Sequence, residues 1–453
     1  SYYQERQRTM HSSDRAKLKI VSLVTNNAIG DSRVLKSAET LAAAGYQVTL
    51  LAQQLGDALP HEKLNGFTLK RVKPIDRFSK RRTTPFWPLS ITVKSENSYI
   101  RYGSRLIAPD FLFWRWVGPY LLKLSDRFLY PVWPLLKDGE ATFADAIDAE
   151  VPDLIHANDC DTLGLAMRAQ ERAAKNGKSV GILYDAHEYV KGVHRKHPVW
   201  RHSMAILERQ GIKKAGIVMT VSDTIAGMLQ EDYKLEDRPV VVLNAPRLQQ
   251  PQVDPELKTI RTKLALSPEV PLHVYVGAAA PQRGLDAMIE SLRFAPDHHI
   301  ALVVNPSSPY VIGLREKAIE LGVDARLHIH QYVPEWYVST FISDATSGVI
   351  PILHYPNHEI SLVTKFFEFL HAKLPIIVSD VKTMSAEIEH RKNGLIFKAG
   401  DGAELAERFK EITINRAKYV AAITPELLTE YSWERQGDKL VAAHDALAMK
   451  GNQ

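Results

Sequence analysis

The stretch Thr364-Lys-Phe-Phe-Glu-Phe-Leu-His-Ala-Lys-Leu-Pro-Ile-Ile-Val-Ser-Asp380 decides the fold. Leu362, just ahead of it, and Phe366, Phe369 and Leu370 within it recur at helical spacing and make one apolar face. Pro375 ends a tight turn, and Ile376-Ile377-Val378 is a continuous β-branched run. Such a run suits a strand buried on both faces, as in a parallel sheet. Lys365 and Glu368 fall outside the apolar face, near the helix start. Free backbone N–H groups and the helix dipole favour phosphate there, and a carboxylate accepts hydrogen bonds from hydroxyls, so the pair suits a phosphorylated sugar. It suits an ordinary surface αβ unit with a Lys–Glu pair equally well.

Strands and helices alternate on either side in two series. The first has strands at Lys19–Val24, Gln47–Ala52, Leu154–His156, Gly181–Asp185, Ile217–Val221 and Val240–Leu243, with helices over Asp31–Ala44, Thr162–Lys175 and Val199–Lys214. Gly45 is a natural helix stop and Ser222 a natural helix cap. Pro246–Pro255 carries three prolines without period and reads as a linker. The second series has strands at His273–Val276, Ile300–Val304, Arg326–His330, Gly348–Ile352 and Leu395–Lys398, with helices over Leu285–Leu292, Val311–Leu321 and Ala403–Ile412. Helices between strands predict α/β domains with parallel sheets covered on both faces. The expected division is a flexible tail at 1–18, an N-terminal Rossmann-like domain at 19–246, a C-terminal one at 256–430, and a helix at 431–453 returning to the first domain.

Bulk properties agree. The 453 residues suffice for two domains with ample cores, and 45% hydrophobic with 24% charged residues is ordinary globular composition. A single cysteine, Cys160, excludes an intrachain disulfide and fits a reducing, cytoplasmic compartment. No apolar run reaches the roughly 18 residues of a transmembrane helix, and Ser1–Lys17 has no signal-peptide core. The net charge of +5 gives slight support for an anionic partner.

One block, about 74–136, breaks the pattern. It is basic and aromatic, with Lys80-Arg81-Arg82 and Phe111-Leu-Phe-Trp-Arg-Trp-Val117. Leu112, Trp116, Tyr120 and Leu124 could line one helix face beside Arg115, Lys123 and Arg127, which would suit an anionic membrane surface. An insertion packed against the core is the plainer expectation, since aromatic stripes usually pack internally.

The chemistry-bearing residues fall at predicted strand ends. The loop Thr25-Asn-Asn-Ala-Ile-Gly-Asp-Ser-Arg33 has one glycine and no G-x-G-x-x-G, which argues against a tightly held dinucleotide. Gly30 permits close backbone approach, and Arg33 suits either an anion or a structural ion pair. His156-Ala-Asn-Asp159 and Tyr184-Asp-Ala-His-Glu188 close two strands. A buried histidine is expected at 156, and a substrate contact at His187, just past its strand, with Asn158 and Glu188 as neighbours. In the second series Gly277-Ala-Ala-Ala-Pro-Gln-Arg-Gly284 runs from strand to helix. Arg283 beside exposed N–H groups makes a diphosphate site in physical terms, since a cation at that place otherwise opposes the dipole.

These pieces resemble the retaining GT-B glycosyltransferases, specifically glycosyltransferase family 4. The resemblance rests on Asp31-Ser-Arg-Val-Leu-Lys36 with Ala43-Ala-Gly-Tyr46, Tyr184 to Glu188, Thr220-Val-Ser222, Leu243-Asn-Ala-Pro246, Gly277 to Gly284, and Lys365-Phe-Phe-Glu368 with Leu374 to Asp380. It implies two Rossmann-like domains facing a cleft, with a nucleotide-diphospho-sugar on the C-terminal domain and the acceptor on the N-terminal one. It implies that Arg283 and Lys365 meet the diphosphate, Glu368 the ribose and His187 the transferred sugar, with Gly30 under the diphosphate and Gly277 and Gly284 in the donor loop. No metal or cofactor is implied, because cations and helix termini would neutralise the leaving group. Two features depart from the pattern. The usual first glutamate would fall at Ile360, and Glu359, one residue away, is the candidate substitute for donor binding. Ala278 stands where a basic residue often follows the first loop glycine.

The expected activity is retaining transfer of a sugar, from a UDP-sugar before a GDP-sugar, to a hydroxyl of a glycan, a lipid-linked or a small-molecule acceptor. A peripheral place at the inner membrane face follows only if the basic insertion binds lipid; no nucleic-acid partner is expected. A degenerate GT-B subunit that binds a glycan or partner, and a nucleotide-sugar epimerase, are the alternatives. The second needs acid and base groups around the sugar that the sequence does not offer.

Overall fold

The computed structural model describes residues 10–76, 134–193, 198–248 and 258–451. The chain divides into two compact units: the first takes 1–220, 226–241 and 439–453, the second 221–225 and 242–438.

The first unit holds eight strands: β1 (Lys19–Leu23), β2 (Gln47–Gln53), β3 (His61–Leu64), β4 (Phe67–Val72), β5 (Leu154–Asn158), β6 (Gly181–Ala186), β7 (Ile217–Thr220) and β8 (Val240–Val241). Their order is β3-β4-β2-β1-β5-β6-β7-β8, parallel except for the β3–β4 hairpin. All five residues of β5 are buried, which is why its sequence runs without polar alternation. β1 registers Ile20 on Leu154 of β5 and on Val48 of β2. The chain winds outward one way from β1 and the other way from β5, so the carboxyl ends of these two strands form a topological switch point.

The second unit holds β9 (Leu272–Val276), β10 (His299–Val303), β11 (Leu327–His330), β12 (Ser347–Ile350), β13 (Ile376–Ser379) and β14 (Gly394–Phe397), in the order β11-β10-β9-β12-β13-β14 and parallel throughout. Its switch point lies between β9 and β12. The opening stretch forms the helix Thr364–His371 and β13, as its spacing predicts. Phe366, Phe367, Phe369 and Leu370 are buried in one core with Ile376 and Val378. Each such side chain stabilises by about 1.5–3 kcal/mol relative to exposure, and Phe369→Ala would cost about 3–5 kcal/mol.

The expectation of two parallel-sheet α/β domains is met, and so is the returning helix. Trp433–Gly451 starts in the second unit and ends in the first, where Leu447 fills the space beside Gly181 and Gly216. The expected flexible tail is corrected for its described part. Residues 10–18 include a short helix, Ser12–Arg15, tied to Asp445 by the Arg15 guanidinium at 2.6 and 2.8 Å and by the Met10 amide at 3.1 Å. The β3–β4 hairpin and the helix Pro134–Glu150 are elements the sequence reading did not anticipate. Asn65-Gly66, a two-residue hairpin turn with φ of 27° and 90°, was the available signal for the former. Most of the basic aromatic insertion, and residues 249–255 of the proline-rich linker, lie outside the described residues.

Candidate active site

In the second unit, Gly277 follows β9 directly and opens the loop to the helix Leu285–Ser291. Its φ of +125° is a conformation that side chains rarely adopt. A Cβ there would sit 3.1 Å from both Cε and Nζ of Lys365, so the lysine lies directly over the loop backbone. Gly284 closes the loop at φ +69°, where a Cβ would lie 1.9 Å from the Pro351 carbonyl oxygen. The loop thereby seats against the chain leaving β12, and the Leu353 amide donates to the Gln282 carbonyl at 3.0 Å.

Lys365, the second residue of the helix Thr364–His371, lies with Nζ 5.3 Å from the Tyr275 ring centroid. Burial and the nearby Arg283 guanidinium push its ammonium down to about 8, against the opposing field of Glu368. Arg283 and Lys365 also bear together on His358, whose ring burial pushes down first and these cations further. Neither cation makes a side-chain ion pair or hydrogen bond among the described residues. The structure thus brings Gly277, Gly284, Arg283, Lys365 and Glu368 together at the carboxyl ends of β9 and β12. Two neighbouring, partly buried cations without an ion-paired carboxylate raise the local positive potential, which is chemically suited to an anion.

Glu359 is held otherwise. One carboxylate oxygen contacts Nδ1 of His354, and the other accepts the Lys382 amide at 2.8 Å. His354 reaches Asp380 with its other nitrogen at 3.0 Å. Burial would raise Glu359, but the amide and the imidazole outweigh it and hold the carboxyl below its ordinary range.

In the first unit the predicted residues gather at the carboxyl ends of β5 and β6. Arg33, 4% exposed, donates through Nε and Nη2 to the two oxygens of buried Asp185, both at 2.8 Å. Of the two roles its sequence position allowed, the structure shows the ion pair. His187 faces Asp185 through Nε2 at 3.1 Å and Asp159 through Nδ1 at 3.3 Å. Burial opposes its charge, but the two carboxylates outweigh burial and push the imidazole up to about 10. Asp185 is held well below its usual range because Arg33 and then His187 outweigh its burial. His156 lies fully buried 3.7 Å from Asp185, with burial pushing its ring toward the neutral form. Asn158 is buried and donates to Ser22 Oγ and the Leu23 carbonyl at 3.0 and 2.9 Å. Glu188 and Gly30 are exposed.

Sequence reading missed two members of this group, Asp159 and Asp185. The signal was present: each closes a strand, and Asp185 stands two residues before His187. Asp159 also has a left-handed backbone, φ +64°, at the first turn of the helix Asp159–Lys175. Also unforeseen was Tyr332, 51% exposed, whose hydroxyl donates to the Gly277 carbonyl at 3.4 Å.

Each unit matches a known domain. The family described as Glycosyl transferase 4-like domain matches residues 31–246, and the family described as Glycosyl transferases group 1 matches residues 257–425. No curated protein matches the chain by sequence. Among solved structures, sucrose-phosphate synthase from Thermosynechococcus elongatus is 14% identical with a TM-score of 0.64, over 93% of this chain and 96% of that one. Anabaena HepE in complex with UDP is 13% identical with a TM-score of 0.62, over 93% and 98%. An E. coli structure described as trehalose-6-phosphate bound with UDP-2-fluoro glucose is 11% identical with a TM-score of 0.58, over 93% and 97%. At these identities the likeness establishes the fold. A glycosyl transferase domain model is thus matched in each unit, and together with the fold shared with these structures the matches support a GT-B glycosyltransferase.

Proposed function

We propose that the protein is a retaining, metal-independent glycosyltransferase of family 4 that moves a sugar from a UDP-sugar to an acceptor hydroxyl. The observation that carries this reading is the pair Arg283 and Lys365, near enough to act on each other and without an ion-pair partner among the described residues, with Lys365 over the Gly277 backbone. Departure of a nucleoside diphosphate builds negative charge on its β-phosphate. Cations already in place stabilise that charge more in the transition state than in the ground state. The acceptor hydroxyl attacks from the face the leaving group departs, and its proton passes to the leaving phosphate oxygen. No separate base is then needed. Glu368 accepts the ribose hydroxyls, and Gly284 lets the loop approach. In the first unit His187, kept cationic by Asp159 and Asp185 with both ring nitrogens facing those carboxylates, contributes positive charge beside the sugar.

The nucleotide assignment is supported by similar folds bound to UDP and UDP-glucose in Anabaena HepE, while starch synthase IV from Arabidopsis thaliana is described with ADP and acarbose. Calorimetry with UDP, GDP and ADP tests it. UDP is expected to bind most tightly and to lose affinity in Arg283→Ala; equal, Arg283-independent binding of all three would refute the assignment. In turnover, Arg283→Ala is expected to lose ~3 kcal/mol of transition-state stabilisation, about two orders of magnitude in rate.

A second reading, a degenerate subunit that binds a glycan or a partner, gains from Glu359. Its carboxylate is engaged by His354 and Lys382 and so is not free for the donor sugar. Slow hydrolysis of a nucleotide sugar without acceptor supports the enzyme; absence of any nucleotide binding supports the subunit.

A further inference from the structure

We propose a second anion site in the second unit, between Arg261 and Arg416, for inorganic phosphate or a phosphate monoester. It lies at the opposite end of the sheet from Gly277 and Lys365. Residues 265–270 lead into β9 and residues 344–346 lead into β12, so the site sits at the amino ends of the strands whose carboxyl ends carry the donor loop. Five residues of β9 separate the two ends, about 16 Å at the usual rise per residue.

A pocket of about 690 Å³ is lined there by Arg261, Thr262, Asp344, Thr346 and Arg416 among others. The guanidinium of Arg261 donates from Nε to the Asp344 carbonyl at 3.1 Å and from Nη1 to the Ser267 and Val270 carbonyls at 2.7 and 2.8 Å. That of Arg416 donates from Nη2 to the Ala345 carbonyl at 3.3 Å and from Nε to the Thr346 carbonyl at 3.1 Å. Three consecutive carbonyls are therefore shared between two guanidiniums. Consecutive Cα atoms stand about 3.8 Å apart, so the two cations are held side by side. Neither is bonded to a carboxylate. Nη2 of Arg261 and Nη1 of Arg416 have no partner among the described residues.

This arrangement is unusual in its charge. Arg261 is only 7% exposed, and a buried cation ordinarily acquires a carboxylate. The lining holds one carboxylate, Asp344, and its Oδ1 is turned to the Arg261 backbone amide at 3.4 Å. Two cations and one anion leave the pocket with a net positive charge. Burial, and then the proximity of Arg261, weaken the Arg416 guanidinium's hold on its proton, as adjacent uncompensated cations should. A tetrahedral oxyanion relieves this. Its oxygens can take one N–H from each of two guanidinium forks, which is the geometry arginine offers phosphate.

Calorimetry at constant ionic strength, with inorganic phosphate replacing chloride, tests the site in the full chain. The Arg283→Ala/Lys365→Ala variant, which lacks the donor-site cations, is expected to keep phosphate binding, and adding Arg416→Gln to it is expected to weaken that binding at least tenfold. Glycerol 3-phosphate as second probe separates the sources: tighter binding than phosphate points to an organic ester, equal binding to the free ion. Because Arg416→Gln could unfold the loop, phenylglyoxal labelling of the Arg283→Ala/Lys365→Ala variant, with Arg416 intact, gives an independent reading by mass spectrometry. Phosphate is expected to slow modification of Arg416 at least threefold with the donor-site cations removed. Phosphate binding that vanishes in Arg283→Ala/Lys365→Ala, or that survives there undiminished when Arg416→Gln is added, overturns the proposal, as does unprotected labelling of Arg416.

Discussion

Lys365 rests on the backbone of Gly277, so closely that a single added carbon at 277 would fall 3.1 Å from its Nζ. The contact joins the first loop after β9 to the helix before β13. It places the ammonium where an anion lying on the loop must meet it. Gly277→Ala should therefore act at the ligand site and not only on stability. The φ of +125° adds strain of order 1–3 kcal/mol, and the lysine must move. UDP affinity measured by calorimetry is expected to fall about tenfold or more. An alanine variant that binds UDP like wild type would separate Lys365 from the nucleotide.

Lys365 also predicts a proton signature. In the free protein its pKa is lowered to about 8 by burial and by Arg283. A bound diphosphate favours the charged form and raises it again. Nucleotide binding near pH 8 to 9 should then take up a proton, and affinity should decline as pH rises through about 8. Binding enthalpies in two buffers of different ionisation enthalpy measure this directly; identical enthalpies would contradict it.

His187 should be a cation at neutral pH. With its pKa pushed up to about 10 against an ordinary 6.5, its ring resonances should not titrate between pH 6 and 8. The sign for stability follows from linkage. The folded pKa is raised, so the contribution is fully present below about 6.5 and lost as pH rises through about 10. The stability difference between wild type and His187→Gln, measured by urea unfolding, is expected to be larger at pH 6 than at pH 10.5. A constant difference would remove the two carboxylates as the cause.

The Arg33–Asp185 pair is structural and buried, 4% and 0% exposed. Arg33→Met leaves a buried carboxylate with only His187 to offset it. Breaking one side of such a pair costs about 3–5 kcal/mol, and a fall of that size in the urea unfolding free energy is expected. A loss below about 1 kcal/mol would mean that His187 alone suffices to hold Asp185.

The opening stretch shows how far local pattern carries. The apolar residues at helical spacing, and the unbroken Ile376-Ile377-Val378, report burial because burial is what selects them. The sequence marked Arg283 and Lys365 as cations at helix starts, and the folded chain makes them neighbours beside Gly277. Glu359 was not legible in this way. Its sequence position suggested the donor sugar, but it is held by His354 and by an amide more than twenty residues on. The two carboxylates around His187 were visible as residues but not as partners.

Residue order alone thus determined the alternation of strand and helix, the two α/β series, and the types of group at each strand end, because side-chain burial and backbone preference act over a few neighbours. Which of those groups meet was decided only by the folded sheets. Asp185 is claimed by Arg33 from 152 positions away, and parallel crossovers set that encounter through strand order, a property no local window contains.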